Sequence, residues 1–127
     1  MADPAVIVAG FGFRRSATVE SLADALEIAG ADKTITALAT ADDKASAAPF
    51  RGLADRLGLP VLAIDAETLE TQQTITRSAV SQAARATGSL SEAAALAAAG
   101  VGAQLIAPRT VSRDGLATCA LARGKIA

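Results

Sequence analysis

The sequence of 127 residues contains no histidine, tryptophan or tyrosine, and it has three phenylalanines and one cysteine. Without histidine, a Ser-His-Asp triad, a Cys-His dyad and a zinc site with imidazole ligands are excluded. Without tyrosine or tryptophan, the aromatic platforms on which single-stranded bases stack are missing. Cys119 has no second cysteine to pair with and no basic neighbour in sequence. We therefore expect a reducing compartment and a thiol that fills the core rather than acting as a nucleophile.

The charge balance also excludes classes of partner. There are 12 basic and 13 acidic residues, a net charge of −1, whereas nucleic-acid binding normally shows a basic excess on one face. The longest uncharged stretch, residues 93–108, contains 16 residues and is interrupted by glycine and proline, which is too short to span a bilayer. No basic leader precedes the first apolar run. We expect no nucleic-acid partner, no membrane association, no signal peptide and a cytoplasmic location.

Hydrophobic residues make up 51% of the chain, but 33 of its residues are alanines. The length predicts a single domain covering residues 1–127. Its core has few bulky side chains, so we expect stability to come from close approach of helices and strands.

The N-terminal half alternates between strand and helix patterns, with strands predicted at 5–13, 35–40 and 61–64 and helices at 18–30 and 50–57. The first strand is apolar without alternation, which is typical of a strand buried on both faces. Thr18 suits an N-cap, and Gly30 and Gly58 suit helix ends. The strand–helix rhythm predicts right-handed βαβ units.

The C-terminal half continues with a helical turn at 66–71 and a helix at 76–86. A capping box at Ser89–Glu92 then opens an alanine-rich helix that ends at Gly100. Strands follow at 105–107 and 116–122, joined by a turn at Asp114-Gly115. The predicted fold is therefore α/β: a three-layer α/β/α single domain with a mostly parallel sheet of about five strands and a C-terminal β-hairpin.

The loop after the first strand has the features of an anion site. Its sequence is Gly10-Phe-Gly12-Phe-Arg14-Arg15-Ser16, in which glycines permit close backbone approach and the next helix offers free N–H groups. The two arginines provide planar donors that match carboxylate or phosphate oxygens. A dinucleotide fingerprint would need glycine where Arg15 stands. The alternative is a tight turn whose arginines are solvated or pair with the aspartates of the next loop.

The loop after the second strand contains Asp42, Asp43 and Lys44. Two carboxylates from one loop rarely hold a metal, so we predict no metal site; a solvated loop tip is the alternative for the aspartates. Lys44 follows its strand directly and is expected to reach the same crevice as Arg14. Glu92 serves its capping box or positions a ligand group. Two further arginines, Arg109 and Arg123, are expected at strand ends, either on the rim of the site or solvated.

Several motifs occur together in a particular order: Gly10-x-Gly12-x-Arg14-Arg15, Ala39-Thr40-x-x-x-Lys44, Gly58-Leu59-Pro60, Gly88-x-x-x-Glu92-Ala-Ala-Ala-Leu96, Pro108-Arg109 and Ala120-Leu-Ala-Arg123. In this order, the motifs resemble the cobalamin biosynthesis family that comprises CobE and the C-terminal domain of CbiG. The resemblance runs from about residue 5 to about residue 123, as one domain. The chain departs from the family pattern at Phe13, where the family often has cysteine, and at Ser16, where it often has glycine. A few positions after the lysine the family tends to have an acidic residue, where this chain has Ser46 and Ala47.

The resemblance implies a role in making the corrin ring of cobalamin (vitamin B12). In two-domain relatives it implies opening of a lactone on a corrinoid precursor, whereas a stand-alone chain resembles the CobE type, with an accessory or catalytic role in the aerobic pathway. The implied partners are a carboxylated, precorrin-type tetrapyrrole and other cobalamin pathway enzymes, with no cofactor. The predicted substrate-binding residues are Gly10, Gly12, Arg14, Arg15, Ser16, Thr40, Asp42, Lys44 and Glu92. The alternatives are a hydrolase of a corrinoid precursor, a phosphate- or nucleotide-binding module, and a scaffold for pathway enzymes.

Overall fold

The computed structural model of the protein describes residues 6–30, 34–70, 90–100 and 102–124. Within these ranges the elements are β1 (Ile7–Phe13), α1 (Val19–Gly30), β2 (Ala37–Ala41), α2 (Ala48–Leu57), β3 (Val61–Ile64), α3 (Ala66–Glu70), α4 (Leu90–Ala99), β4 (Gln104–Val111) and β5 (Ala117–Arg123). The predicted alternation of strands and helices is confirmed for these elements, with ends that differ by a few residues. The helix expected at 76–86 and Ser89 of the capping box lie outside the described residues.

The five strands form one sheet in the order β3-β2-β1-β5-β4. The pairs β1–β2 and β2–β3 are parallel, whereas β1–β5 and β4–β5 are antiparallel. The α/β class and the five strands are confirmed, but the expectation of a mostly parallel sheet is wrong because the sheet is mixed. The reason is that β5, and not β4, lies beside β1. Almost all of β5 is buried, whereas β4 is largely exposed and carries Pro108, which sheets accept at their edges.

The ends of α1 and α2 follow from their capping residues. At the start of α1, the backbone N–H of Ser21 donates to Thr18 Oγ1 at 3.2 Å, and the N–H of Thr18 donates to Ser21 Oγ at 3.1 Å. These bonds satisfy two backbone donors that would otherwise lack a partner in the first turn. Helix α2 ends at Gly58, whose φ of 67° is left-handed, a conformation that glycine adopts without steric cost.

Two apolar clusters lie on opposite faces of the sheet. One contains residues of α1, α2 and the sheet, including Leu22, Phe50 and Phe11; the other contains residues of α3, α4 and the sheet, including Leu69 and Ala93. All three phenylalanines of the chain contribute to the first face. The Phe50 ring is 5.9 Å from the ring centroid of Phe11 in an edge contact and 6.0 Å from that of Phe13 in a stacked one. The carboxyl end of β1 therefore rests on an aromatic cluster.

Helix α4 approaches β1 unusually closely. A Cβ atom built on Gly10 would lie 2.1 Å from the carbonyl oxygen of Ser91 and 2.5 Å from the backbone nitrogen of Ala95. The alanines of α4 that face the sheet are fully buried. This confirms that small side chains let the helix backbone lie near the sheet. Cys119 is also fully buried, and burial raises the pKa of its thiol, as expected for a residue that fills the core.

Candidate functional site

The loops that follow β1, β2 and β3 lie at one end of the sheet. The three strands are parallel, and their last residues lie side by side, since Ala41 pairs with Ile64 and Gly10 pairs with Ala39. Strand β5 begins at the same end, where Ala117 pairs with Phe13, so the turn at 112–116 is there too. We call this region the carboxyl end of the sheet. It is where ligands bind in open α/β sheets.

The residues directly after β1, Arg14–Ser16, form what we call the arginine loop. Its backbone is fixed at both ends: the N–H of Arg14 donates to the carbonyl of Leu116 at 2.9 Å, and the N–H of Ala17 donates to the carbonyl of Arg14 at 3.0 Å. The side chains of Arg14, Arg15 and Ser16 are exposed. Two guanidinium groups and a hydroxyl thus face solvent on an ordered turn.

Lys44 reaches the arginine loop from the loop after β2. Its ammonium nitrogen is 2.9 Å from the carbonyl oxygen of Phe13 and 4.9 Å from the centroid of the Phe13 ring. The carbonyl of Phe13 belongs to the peptide that begins the arginine loop. This contact places the Lys44 ammonium beside the peptide that joins Phe13 to Arg14, and a cation over an aromatic face is an attractive arrangement. That Lys44 and Arg14 share a ligand crevice stays a prediction.

Asp42 and Asp43 are exposed at the same end of the sheet. The N–H of Asp42 donates to the carbonyl of Ile64 at 2.9 Å, which holds the loop after β2 against the end of β3. Among the described residues, neither Arg14 nor Arg15 forms an ion pair with these aspartates. The structure therefore does not show the alternative in which the arginines pair with the aspartates of the loop after β2.

Gly10, Gly12 and Thr40 are predicted site residues that the structure buries. The space beside Gly10 is taken by the α4 backbone, and a Cβ on Gly12 would lie 2.9 Å from Thr118 Oγ1. Thr40 is fully buried, and its hydroxyl donates to the carbonyl of Phe11 at 2.9 Å. The two glycines were expected to let a backbone approach a ligand, but here Gly10 lets α4 approach β1 and Gly12 leaves room for the side chains of Thr118 and Leu90.

Glu92 is fully buried in the first turn of α4. Its Oε2 accepts a hydrogen bond of 2.9 Å from the backbone N–H of Arg109. The prediction that Arg109 ends its strand is wrong, because β4 continues to Val111. Arg109 lies between Ala107 and Thr110, where the pairing of β4 with β5 is irregular. Glu92 therefore joins the helix to the irregular part of β4. Arg123 ends β5 as predicted, at the opposite end of the sheet, where it pairs with Ile7.

Asp114 is a structural residue of this region that the sequence indicated only as part of a turn. Its carboxylate accepts hydrogen bonds from Ser21 Oγ at 2.6 Å, from Ser112 Oγ at 2.5 Å and from the N–H of Leu116 at 3.0 Å. The bonds from Ser112, Ser21 and Leu116 lower the pKa of this carboxyl. The turn residue was visible in the sequence, but nothing there signals a partner 93 positions away.

Two structural findings concern metals and membranes. Within the described ranges, no three His, Cys, Asp or Glu side chains are grouped so that they could hold a metal ion. None of the helices in that part of the chain has the length and apolar content that a membrane crossing requires.

Comparison with known proteins identifies close similarity over nearly the whole chain. The family model described as the cobalamin synthesis G C-terminus matches residues 7–122. The crystal structure of CobE, a protein from the cobalamin (vitamin B12) biosynthetic pathway, is 30% identical with a TM-score of 0.87, and the alignment covers 100% of this chain and 96% of CobE. The cobalamin biosynthesis protein ChiG from Agrobacterium tumefaciens str. C58 is 35% identical with a TM-score of 0.71, covering 94% of this chain and 99% of ChiG. No curated protein sequence matches significantly.

Proposed function

This chain belongs to the cobalamin synthesis G C-terminal family and takes part in cobalamin biosynthesis, and we propose that it does so by binding a carboxylated, precorrin-type tetrapyrrole at the carboxyl end of its sheet. The residues that contact the ligand in this proposal are Arg14, Arg15 and Ser16, and the ammonium of Lys44 lies beside the loop that carries them. The ligand is a large macrocycle whose edge carries acetate and propionate arms.

One observation carries the proposal: Lys44 bonds to the peptide that begins the arginine loop, so three cationic side chains belong to one small region. The chain as a whole has a net charge of −1. A local concentration of cations in a slightly acidic protein favours an anionic ligand of matching size over general attraction to polyanions. Arginine forks bind carboxylates through two parallel hydrogen bonds, which suits a ligand with several carboxylate arms.

The half-buried Phe13 ring adds an apolar surface beside these cations. The ring stacks on Phe50 and has the Lys44 ammonium over it, so its position is set by contacts with both residues. A tetrapyrrole presents both chemistries at once, since its ring is flat and apolar and its arms are charged. Asp42 lies at the same end, so we expect the carboxylate arms to approach from the arginine loop and not from the loop after β2.

The phosphate- or nucleotide-binding alternative is disfavoured by the start of α1. The helix end that would hold a phosphate already has a side-chain cap, in which Thr18 Oγ1 accepts from the N–H of Ser21. The carboxylate of Asp114 also lies there, 2.6 Å from Ser21 Oγ. A phosphate at this position would have to displace the cap and would meet a like charge, both of which cost free energy.

The test is a titration followed through the colour of the ligand. Because the chain has no tryptophan or tyrosine, a corrinoid absorbs strongly where the protein does not. A corrinoid with free carboxylate arms is compared with one whose arms are amides, and we expect only the carboxylated form to elute with the protein in gel filtration. Each charge-assisted contact contributes about 1.5–3 kcal/mol, so Arg14→Ala and Arg15→Ala should each weaken binding about 10- to 100-fold.

Arg123→Ala is the matched control, since Arg123 is also exposed but lies at the opposite end of the sheet. Its affinity should equal that of the wild type. Free pigment eluting apart from the wild-type protein for every carboxylated corrinoid would reject the proposed function. An equal loss in the Arg123 and Arg14 variants would reject the proposed location.

A further inference from the structure

Lys44 contacts both the backbone and the ring of Phe13. The ammonium nitrogen donates to the Phe13 carbonyl oxygen at 2.9 Å and lies 4.9 Å from the centroid of the ring. Phe13 is the last residue of β1, and Lys44 lies 31 positions later, on another loop. The contact therefore links two neighbouring loops at the carboxyl end of the sheet.

The same peptide is held on its other side by a third segment. The carbonyl of Phe13 and the N–H of Arg14 belong to one planar peptide group. The carbonyl accepts from Lys44, and the N–H donates to the carbonyl of Leu116 at 2.9 Å. Because both polar groups of the plane have partners, rotation of this peptide would break two hydrogen bonds. Its orientation sets the direction in which the Arg14 side chain leaves the backbone.

We infer that Lys44 is a positioning residue for the arginine loop: by holding the Phe13–Arg14 peptide, its ammonium orders the loop before a polycarboxylate ligand arrives. This inference rests on the proposed function. An ordered loop binds more tightly than a mobile one because less conformational entropy is lost on binding. The effect of Lys44 on affinity thus passes through Arg14 and Arg15, and it is not a separate contact with the ligand.

The two roles of Lys44 predict different energetic coupling. If its ammonium bound a ligand carboxylate directly, removing it would cost the same factor whether or not the arginines were present. If it acts through the arginine loop, its removal should cost little once both guanidinium groups are gone. A double-mutant cycle measures this difference.

The experiment uses Lys44→Met in the wild type and in the Arg14→Ala/Arg15→Ala protein, each titrated with the carboxylated corrinoid. Titrations are made at about 0.3 M salt, which screens the general effect of losing one charge. We expect a loss of about tenfold in the wild-type background and of less than about twofold in the double-arginine variant. Equal factors in the two backgrounds would overturn the inference. If binding by the double-arginine variant is too weak to titrate, Arg14→Ala alone and Arg15→Ala alone serve as backgrounds.

A second measurement needs no ligand. The Arg14 amide is bonded to Leu116, so its hydrogen exchange reports the order of the loop. Lys44→Met should speed this exchange about tenfold, while exchange at Ala120, in the centre of the sheet, stays unchanged. Unchanged exchange at Arg14 would overturn the inference. Failure of the wild type to bind any carboxylated corrinoid would reject the proposed function, but the exchange result would still decide the role of Lys44. If Lys44→Met does not fold, Lys44→Gln replaces it.

Discussion

Gly10 is the residue at which the sequence most directly determines the packing of α4. A Cβ there would lie 2.1 Å from the carbonyl oxygen of Ser91 and 2.5 Å from the nitrogen of Ala95. Both are backbone atoms of a helix, so they cannot move aside as a flexible side chain can. The missing side chain of Gly10 therefore allows the contact between helix and sheet, and with it the burial of Glu92 in the first turn of α4.

We expect Gly10→Ala to lower the free energy of unfolding by about 3 kcal/mol, because α4 has to shift as a unit to make room for one methyl group. Gly52→Ala is the matched control. Its Cβ would meet Val19 Cγ2 at 2.8 Å, a methyl group that can move, and alanine favours the helix by about 1 kcal/mol. Urea unfolding should show a change of less than about 1 kcal/mol for Gly52→Ala. Equal effects of the two substitutions would contradict this account of α4 packing.

The role of Gly10 illustrates what the sequence could and could not show at the residue level. The alanine-rich run of α4 correctly predicted close approach to the sheet. The glycines of β1 were interpreted as making room for a ligand, whereas the structure places other parts of the protein beside them. Which glycine meets which helix depends on tertiary register, which neither pattern contains. The same holds for Thr40, whose buried hydroxyl bonds to the carbonyl of Phe11. The exposure of Arg14 and Arg15 was predictable, because charged side chains directly after a buried strand face solvent.

At the level of elements, hydrogen bonds of Asp114 and Arg113 hold the turn at 112–116 against α1. Ser21 of α1, which is 2% exposed, donates to the Asp114 carboxylate, as does Ser112, which is 3% exposed. Arg113 adds two bonds of 2.6 Å to Asp24 of α1, one from its backbone N–H and one from its guanidinium. The turn also supplies the Leu116 carbonyl that holds Arg14. The arginine loop is thus supported by a turn that is itself fixed to a helix.

This arrangement predicts a stability that depends on pH through Asp114. The folded protein binds its carboxylate in the ionised form, which lowers the pKa. The stabilisation is therefore complete above the unfolded pKa of about 3.9 and is lost as the pH falls through the lower folded pKa. We expect Asp114→Ala to be less stable than the wild type at neutral pH and the gap in stability to narrow as the pH falls below about 4.

Thermal or urea unfolding measured across this pH range checks the prediction. Asp55→Ala, which removes an exposed aspartate of α2, is the control and should stay close to the wild type at neutral pH. A gap between wild type and Asp114→Ala that is as wide in acid as at neutral pH would show that the ionised carboxylate is not what stabilises the turn.

The order of the strands is the feature at this level that was not predicted from the sequence. A hairpin of two C-terminal strands was expected, and β4 and β5 do pair antiparallel through the turn at 112–116. Either strand could have been placed beside β1, and only placing β4 there gives a mostly parallel sheet. The distinguishing signal was present, since Pro108 and Arg109 suit an exposed edge and the apolar run of β5 suits a central position.

For the molecule as a whole, the distribution of charge matters more than its sum. Arg14, Arg15 and Lys44 lie at the carboxyl end of the sheet and Arg123 lies at the other end. With a net charge of −1, the protein has no long-range field that would draw a polyanion to it. Attraction to a carboxylated ligand must then be short-ranged and confined to the arginine loop and its surroundings.

This confinement predicts that the affinity for a carboxylated ligand depends modestly on salt, and that the dependence arises from residues at the carboxyl end of the sheet. Two exposed charge pairs, those of Arg14 and Arg15, lose about 0.5 kcal/mol in total between about 0.05 and 0.3 M salt, so the affinity of the wild type for a carboxylated corrinoid should fall about twofold. Arg14→Ala/Arg15→Ala should lose most of this dependence, because the charges that respond to salt are gone, and Arg123→Ala should keep it. The measurement is a series of titrations at increasing salt with the amide-armed corrinoid as the uncharged reference. A double-arginine variant that retained the full dependence would mean that the ligand carboxylates lie elsewhere on the surface.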